Sequence, residues 1–80
     1  MTTGQKRHEK IKNNPASVRF DEAVTWLLSF GFVERDAKGS HKVFTHPEWD
    51  GRLTMQSHKG NAKAYQIRQA LRAIEEIYHV

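Results

Sequence analysis

The chain of 80 residues carries 13 Lys or Arg against 9 Asp or Glu, for a net charge of +4, and contains no cysteine. A chain this short holds one domain with one small core, so a deep substrate cavity, a disulfide framework and a thiolate zinc site are excluded. No apolar run nears the roughly 18 residues of a membrane span and no apolar stretch marks a signal peptide, so a cytoplasmic protein without membrane contact is expected.

Residues 1–14 are polar, with Ile11 the only large aliphatic after Met1. A short charged helix over residues 5–12 has little to bury, so a polar, basic N-terminal arm, helical at most and loosely docked, is expected. Asn13-Asn14-Pro15 then breaks the chain, because proline cannot continue a helix and restricts the residue before it. The domain proper is expected over residues 15–80. Its first helix, residues 21–30, is marked by Val24, Leu27 and Leu28 following Phe20 at helical spacing, with Asp21 as cap and Glu22 in the first turn. It ends at Gly31. Glycine suits a left-handed residue there, and Phe32 can fold back on Leu27 in a Schellman-type cap.

Further on, the pattern shortens to segments 32–36, 40–46 and 52–56, separated by turn signals at Ala37-Lys38-Gly39 and from Pro47 to Gly51. These read as three antiparallel strands. After a loop over residues 57–63, Ile67, Ala70, Leu71, Ile74, Ile77 and Tyr78 share one face of a second helix, residues 64–79, with Tyr65 expected to anchor its start in the core. The order α-β-β-β-α predicts an α+β fold with a three-stranded antiparallel sheet, both helices on one face and the other face open.

Charge is concentrated in two places. Residues 1–20 hold five basic groups against Glu9, and residues 38–63 hold five against Glu48 and Asp50, so the middle of the domain is locally basic and suits a polyanion. The five histidines include no pair at zincin spacing and no accompanying carboxylate set, so neither a metal nor another cofactor is expected. His41 stands out by its context, Lys38-Gly39-Ser40-His41-Lys42. Glycine can make the turn and leave the imidazole at the head of a strand, with a hydroxyl before it and ammonium groups around it. An imidazole with a pKa of about 6.5 can take the proton of a ribose 2′-hydroxyl while lysines hold the phosphate. A surface histidine beside a turn fits the same tripeptide, and spacing alone leaves both readings open.

A longer ordered pattern resembles the HicA toxins of bacterial toxin–antitoxin pairs. It comprises Val18-Arg19-Phe20-Asp21-Glu22, Leu27-Leu28, Gly31-Phe32, Gly39-Ser40-His41 with Phe44 and His46-Pro47, Leu53-Thr54 with Gln56, and the run from Lys59-Gly60-Asn61 to Arg68-Gln69. The resemblance implies a fold like the double-stranded-RNA-binding domain and a metal-independent ribonuclease acting on messenger RNA. It further implies a catalytic histidine in Gly-Ser-His, hence His41, and a HicB-type antitoxin as partner. Lys38, Ser40, Lys42, Lys59 and Lys63 are then candidate RNA ligands, since an ordinary lysine of pKa about 10.4 holds a phosphate better than it donates a proton.

His46 and Trp49 are secondary candidates. In a regular strand, the odd separation of His46 from His41 puts the two on opposite faces. Trp49 and Trp26 can stack on bases, and Trp26 can equally belong to an antitoxin interface. Two other functions stay open: a non-catalytic RNA-binding module, and an interaction protein whose open sheet face docks a partner.

Overall fold

The structure, a computed structural model, describes residues 3–39 and 41–79. Its elements are α1 (Thr3–Asn13), α2 (Phe20–Ser29), β1 (Val33–Lys38), β2 (His41–His46), β3 (Trp49–His58), β4 (Asn61–Ala62) and α3 (Ala64–Tyr78). The strands form one antiparallel sheet in the order β1-β2-β3-β4. The α+β class and the helix–strands–helix order agree with expectation, but the sheet has four strands rather than three. The fourth comes from the segment expected to be a loop. There β3 runs on to His58, and Lys59 (φ 53°) and Gly60 (φ 83°) turn the chain into β4. Both central residues take positive φ, as a type I′ hairpin turn requires, and a lysine in that role carries no turn signal.

Alternation along the strands separates two faces. Phe44 and His46 of β2 and Leu53 and Met55 of β3 are buried on the side where the helices pack. His41, Val43 and Thr45, with Thr54, Gln56 and His58, point to the other side. A bulge in β1 lies between Glu34 and Asp36, and a second irregularity sets His46 opposite Trp49 although Phe44 pairs with Leu53. The second puts two extra residues on β3 and keeps the parity of the side chains.

Helix α2 ends as its sequence indicates. Gly31 takes φ 89°, its N–H bonds to the Leu28 carbonyl, and the Phe32 N–H reaches back to Leu27, the bond pair of a Schellman motif. The helix starts one residue early, at Phe20, and the cap lies two residues before the one expected: Arg19 occupies it without a side-chain bond, and Asp21 sits in the first turn, accepting from the Glu22 N–H.

The N-terminal segment is docked rather than loose. Ile11 is 1% exposed within the common core, and His8 lies against both Trp26 and Phe30, with ring centroids 6.0 and 5.0 Å away. Trp26, with no exposed surface, donates from Nε1 to His8 Nδ1 at 3.2 Å. It is therefore available neither for base stacking nor for a partner. The stripe of α2 faces the sheet, and Trp26 serves a second contact, with α1, that the stripe does not reveal.

Helix α3 starts at Ala64 as expected, but the residue that enters the core in its first turn differs by one position. Tyr65 is 53% exposed, and its neighbour Gln66 is buried instead. Ile67, Ala70, Ala73 and Ile74 complete the buried face of the helix. Among the described residues no helix is long and apolar enough to cross a membrane.

Candidate functional site

His41 opens β2 and is exposed on the face that carries no helix. Three strands meet there. The register sets Lys38 of β1 opposite His41 on one side and Gln56 of β3 on the other, so the three side chains share a face. Gly39, at φ 55°, makes the turn between β1 and β2 and lets the histidine lead its strand, as the sequence indicates. Ser40 lies outside the described residues.

The central strand is held by a side chain from the other face. Gln66, in the first turn of α3, accepts the Gln56 backbone N–H on its Oε1 at 2.8 Å, while its Nε2 lies 3.4 Å from the Tyr65 hydroxyl. Because that N–H points away from β2, His41 and Gln56 form a non-hydrogen-bonded pair, the type in which opposed side chains stand closest. Gln66 escaped the sequence reading because a polar residue on a helix normally marks the solvent side. Its one available signal is its place beside Ile67 at the head of the buried stripe.

The basic residues divide between the faces. Lys59, in the turn after β3, and Lys63, at the cap of α3, line a shallow cavity of about 350 Å³ with His58, Asn61 and Ala62. Arg19 pairs with Asn61 as an isolated bridge, and its guanidinium covers Gly60 so closely that a Cβ there would lie 3.0 Å from a guanidinium nitrogen. The Phe20 N–H to Gly60 carbonyl bond and the Ala62 N–H to Val18 carbonyl bond, 3.0 and 2.8 Å, tie this hairpin to the entry of α2. Lys42 belongs elsewhere. It alternates with His41 onto the helix side and pairs with Glu34 at 3.2 Å.

The two secondary candidates lie at the far end of the hairpin. His46 is 6% exposed, and its Nδ1 accepts the Glu48 N–H at 3.1 Å. A neutral ring then carries its proton on Nε2, which donates to the Phe30 carbonyl at 3.0 Å and also contacts the Tyr78 hydroxyl. Trp49 packs edge-on to Phe32, lies over Gly51, and donates from Nε1 to Glu76 of α3 at 2.8 Å. Both side chains are tied to the helix side, away from His41. The odd separation of the two histidines thus has the consequence that strand geometry demands. Among the described residues, no three His, Cys, Asp or Glu side chains gather as a metal-binding group.

What this face can do chemically follows from its composition. It presents the exposed imidazole of His41 at a strand head, a carboxamide beside it, the exposed His58 two residues further along β3 and cations within a few residues, a set suited to a phosphodiester. A family model described as the HicA toxin of bacterial toxin–antitoxin systems matches residues 20–75, while no curated protein and no solved structure gives a match.

Proposed function

The chain belongs to the HicA family of toxins from bacterial toxin–antitoxin pairs, and from that premise we propose that it is a metal-independent endoribonuclease that cleaves messenger RNA and so blocks translation. The single observation that carries the reading is the position of His41, exposed at the head of β2 on the open face, with Lys38 and Gln56 directly opposite. His41 acts as the general base. It takes the proton of a ribose 2′-hydroxyl, and the oxygen so activated attacks the adjacent phosphorus. Lys38, Lys59 and Lys63 hold the phosphates of the strand, and the Gln56 carboxamide is placed to donate to a non-bridging oxygen as charge develops there. Ser40, beside the base in sequence, belongs to the same set. The partner that restrains the activity is a HicB-type antitoxin, and the setting is the cytoplasm.

The test uses purified protein and single-stranded RNA in excess chelator, beside His41→Ala. The wild type cleaves under chelation. The variant cleaves about 10²- to 10⁴-fold more slowly, the usual contribution of a positioned base, with RNA affinity nearly unchanged. Loss of wild-type cleavage in chelator, restored by zinc or magnesium, sinks the metal-independent mechanism. A folded variant that cuts at the wild-type rate removes His41 from the reaction. If both proteins bind RNA and neither cuts it, the chain is a binding module.

A further inference from the structure

An internal transesterification needs a proton for the departing 5′-oxygen as well as a base for the 2′-hydroxyl, and His41 accounts for only the second. The fold narrows the search for the first. His8 lies against Trp26 on α1, His46 is buried with both ring nitrogens engaged, and His79 follows the last turn of α3. His58 is different. Gln56 lies directly opposite His41, and His58, two residues further along β3, returns to the same face and is exposed there. The two histidines are therefore diagonal cross-strand neighbours, a relation that separates Cβ atoms by about 7 Å, close enough for both side chains to reach one phosphodiester.

The position is also well fixed for the end of a strand. His58 pairs with Asn61 across the two-residue turn, the turn is bonded to the entry of α2, and the strand is held one step earlier by Gln66. Lys59 takes a left-handed conformation that a non-glycine residue adopts at a cost. That conformation keeps the turn short and holds His58 in register beside the open face.

We propose that His58 is the general acid of the cleavage; this rests on the ribonuclease reading above. In the step, the 2′-hydroxyl proton passes to neutral His41, the 2′-oxygen forms its bond to phosphorus, and the bond from phosphorus to the 5′-oxygen breaks. The departing oxygen takes a proton from the His58 imidazolium. The products are a 2′,3′-cyclic phosphate and a 5′-hydroxyl, and the imidazoles return to their starting states by exchanging protons with water. Imidazole is the side chain whose ordinary titration range allows either role near neutrality, which lysine does not match.

The experiment compares wild type, His58→Ala and His41→Ala on an RNA oligonucleotide and on the same oligonucleotide with sulfur replacing the 5′-oxygen at the cut linkage. A thiolate leaves without a proton, so loss of an acid is repaired and loss of a base is not. His58→Ala is expected to lose about 10²- to 10⁴-fold on the oxygen substrate and to cut the sulfur substrate near the wild-type rate. His41→Ala is expected to fail on both. The wild-type dependence of kcat/KM on pH is expected to be bell-shaped, with the alkaline limb absent in His58→Ala. A folded His58→Ala that cuts the oxygen substrate as the wild type does, or that is equally impaired on both, overturns the acid role and leaves the ribonuclease reading standing. A wild type that cuts neither substrate overturns that reading, and the acid role with it.

Discussion

The two faces of the sheet use the same strands for opposite purposes, and β2 shows this within six residues. At one end His41 stands exposed beside Lys38 and Gln56. At the other, His46 is enclosed by Phe30, Tyr78 and the turn it helps to close. The residue type is the same, and an odd step along an extended chain decides which one holds the fold and which one faces solvent. In so small a protein the covered face carries nearly all the stability, and the open face is free to be polar and basic.

The sharpest way to break this division is to truncate on each side in the same strand. Phe44→Ala removes a side chain with no exposed surface and is expected to lower stability by about 3–5 kcal/mol. That is a large part of the roughly 5–15 kcal/mol that holds a domain together, and a denaturant titration measures it. His41→Ala, three residues away, is expected to melt within a degree or two of the wild type while losing cleavage. If the histidine variant unfolds as readily as the phenylalanine variant, the open face is not separate from the fold.

Gln66→Leu tests the side-chain tie between α3 and β3. It is expected to cost about 1–3 kcal/mol by stripping the Gln56 N–H of its acceptor, read by thermal melting. No change in melting would mean that water serves that N–H equally well.

Among the lysines the contrast is finer. Lys59→Ala and Lys63→Ala are each expected to weaken RNA binding and to flatten the slope of log K against log salt by about 0.7 for single-stranded RNA. Lys42→Ala, which removes a partner of Glu34 on the helix side, is expected to leave both unchanged. Affinity measured across a salt series separates these outcomes, and an effect at Lys42 alone would move the RNA path to the other side of the hairpin.

The smallest effect concerns α1. Burial lowers the pKa of His8 below its usual 6.5, with the charge of Lys12 acting in the same direction and Glu9 opposing. The unfolded chain then binds this proton more readily than the folded one. The contribution is therefore whole above about pH 6.5 and is lost as pH falls through the folded value. Protonation also removes the acceptor of the Trp26 N–H. Melting is expected to fall slightly with acidification, and His8→Gln, which keeps an acceptor without titrating there, is expected to flatten that dependence.

Much of this architecture was legible in the sequence, and the exceptions have particular causes. Helices α2 and α3, the Schellman cap at Gly31 and the turn before His41 follow from periodicity and glycine placement. The docking of α1 was hidden because Ile11 and a histidine ring do the packing that a row of aliphatics would have advertised. The fourth strand was hidden by a lysine in a positive-φ turn. Tyr65 and Gln66 exchanged their expected places because at the first turn of a helix one residue's difference rotates a side chain from core to solvent. At the candidate site, the Gly-Ser-His context singles out His41, which the structure leaves exposed at the head of β2. The separation of Lys42, His46 and Trp49 from it depended on register, which turns and a bulge set.

Gln66 has one more consequence, for assembly. Strand β4 covers only Ser57 and His58 of β3, so the main chain of β3 just before them faces outward, where another chain could add itself as a strand. The Gln66 carboxamide occupies the first N–H on that stretch, and α3 follows directly behind it. The other border, β1, is interrupted by its bulge and studded with Glu34, Arg35 and Lys38. Neither margin offers the long, flat, uncharged template along which sheets of neighbouring copies join edge to edge.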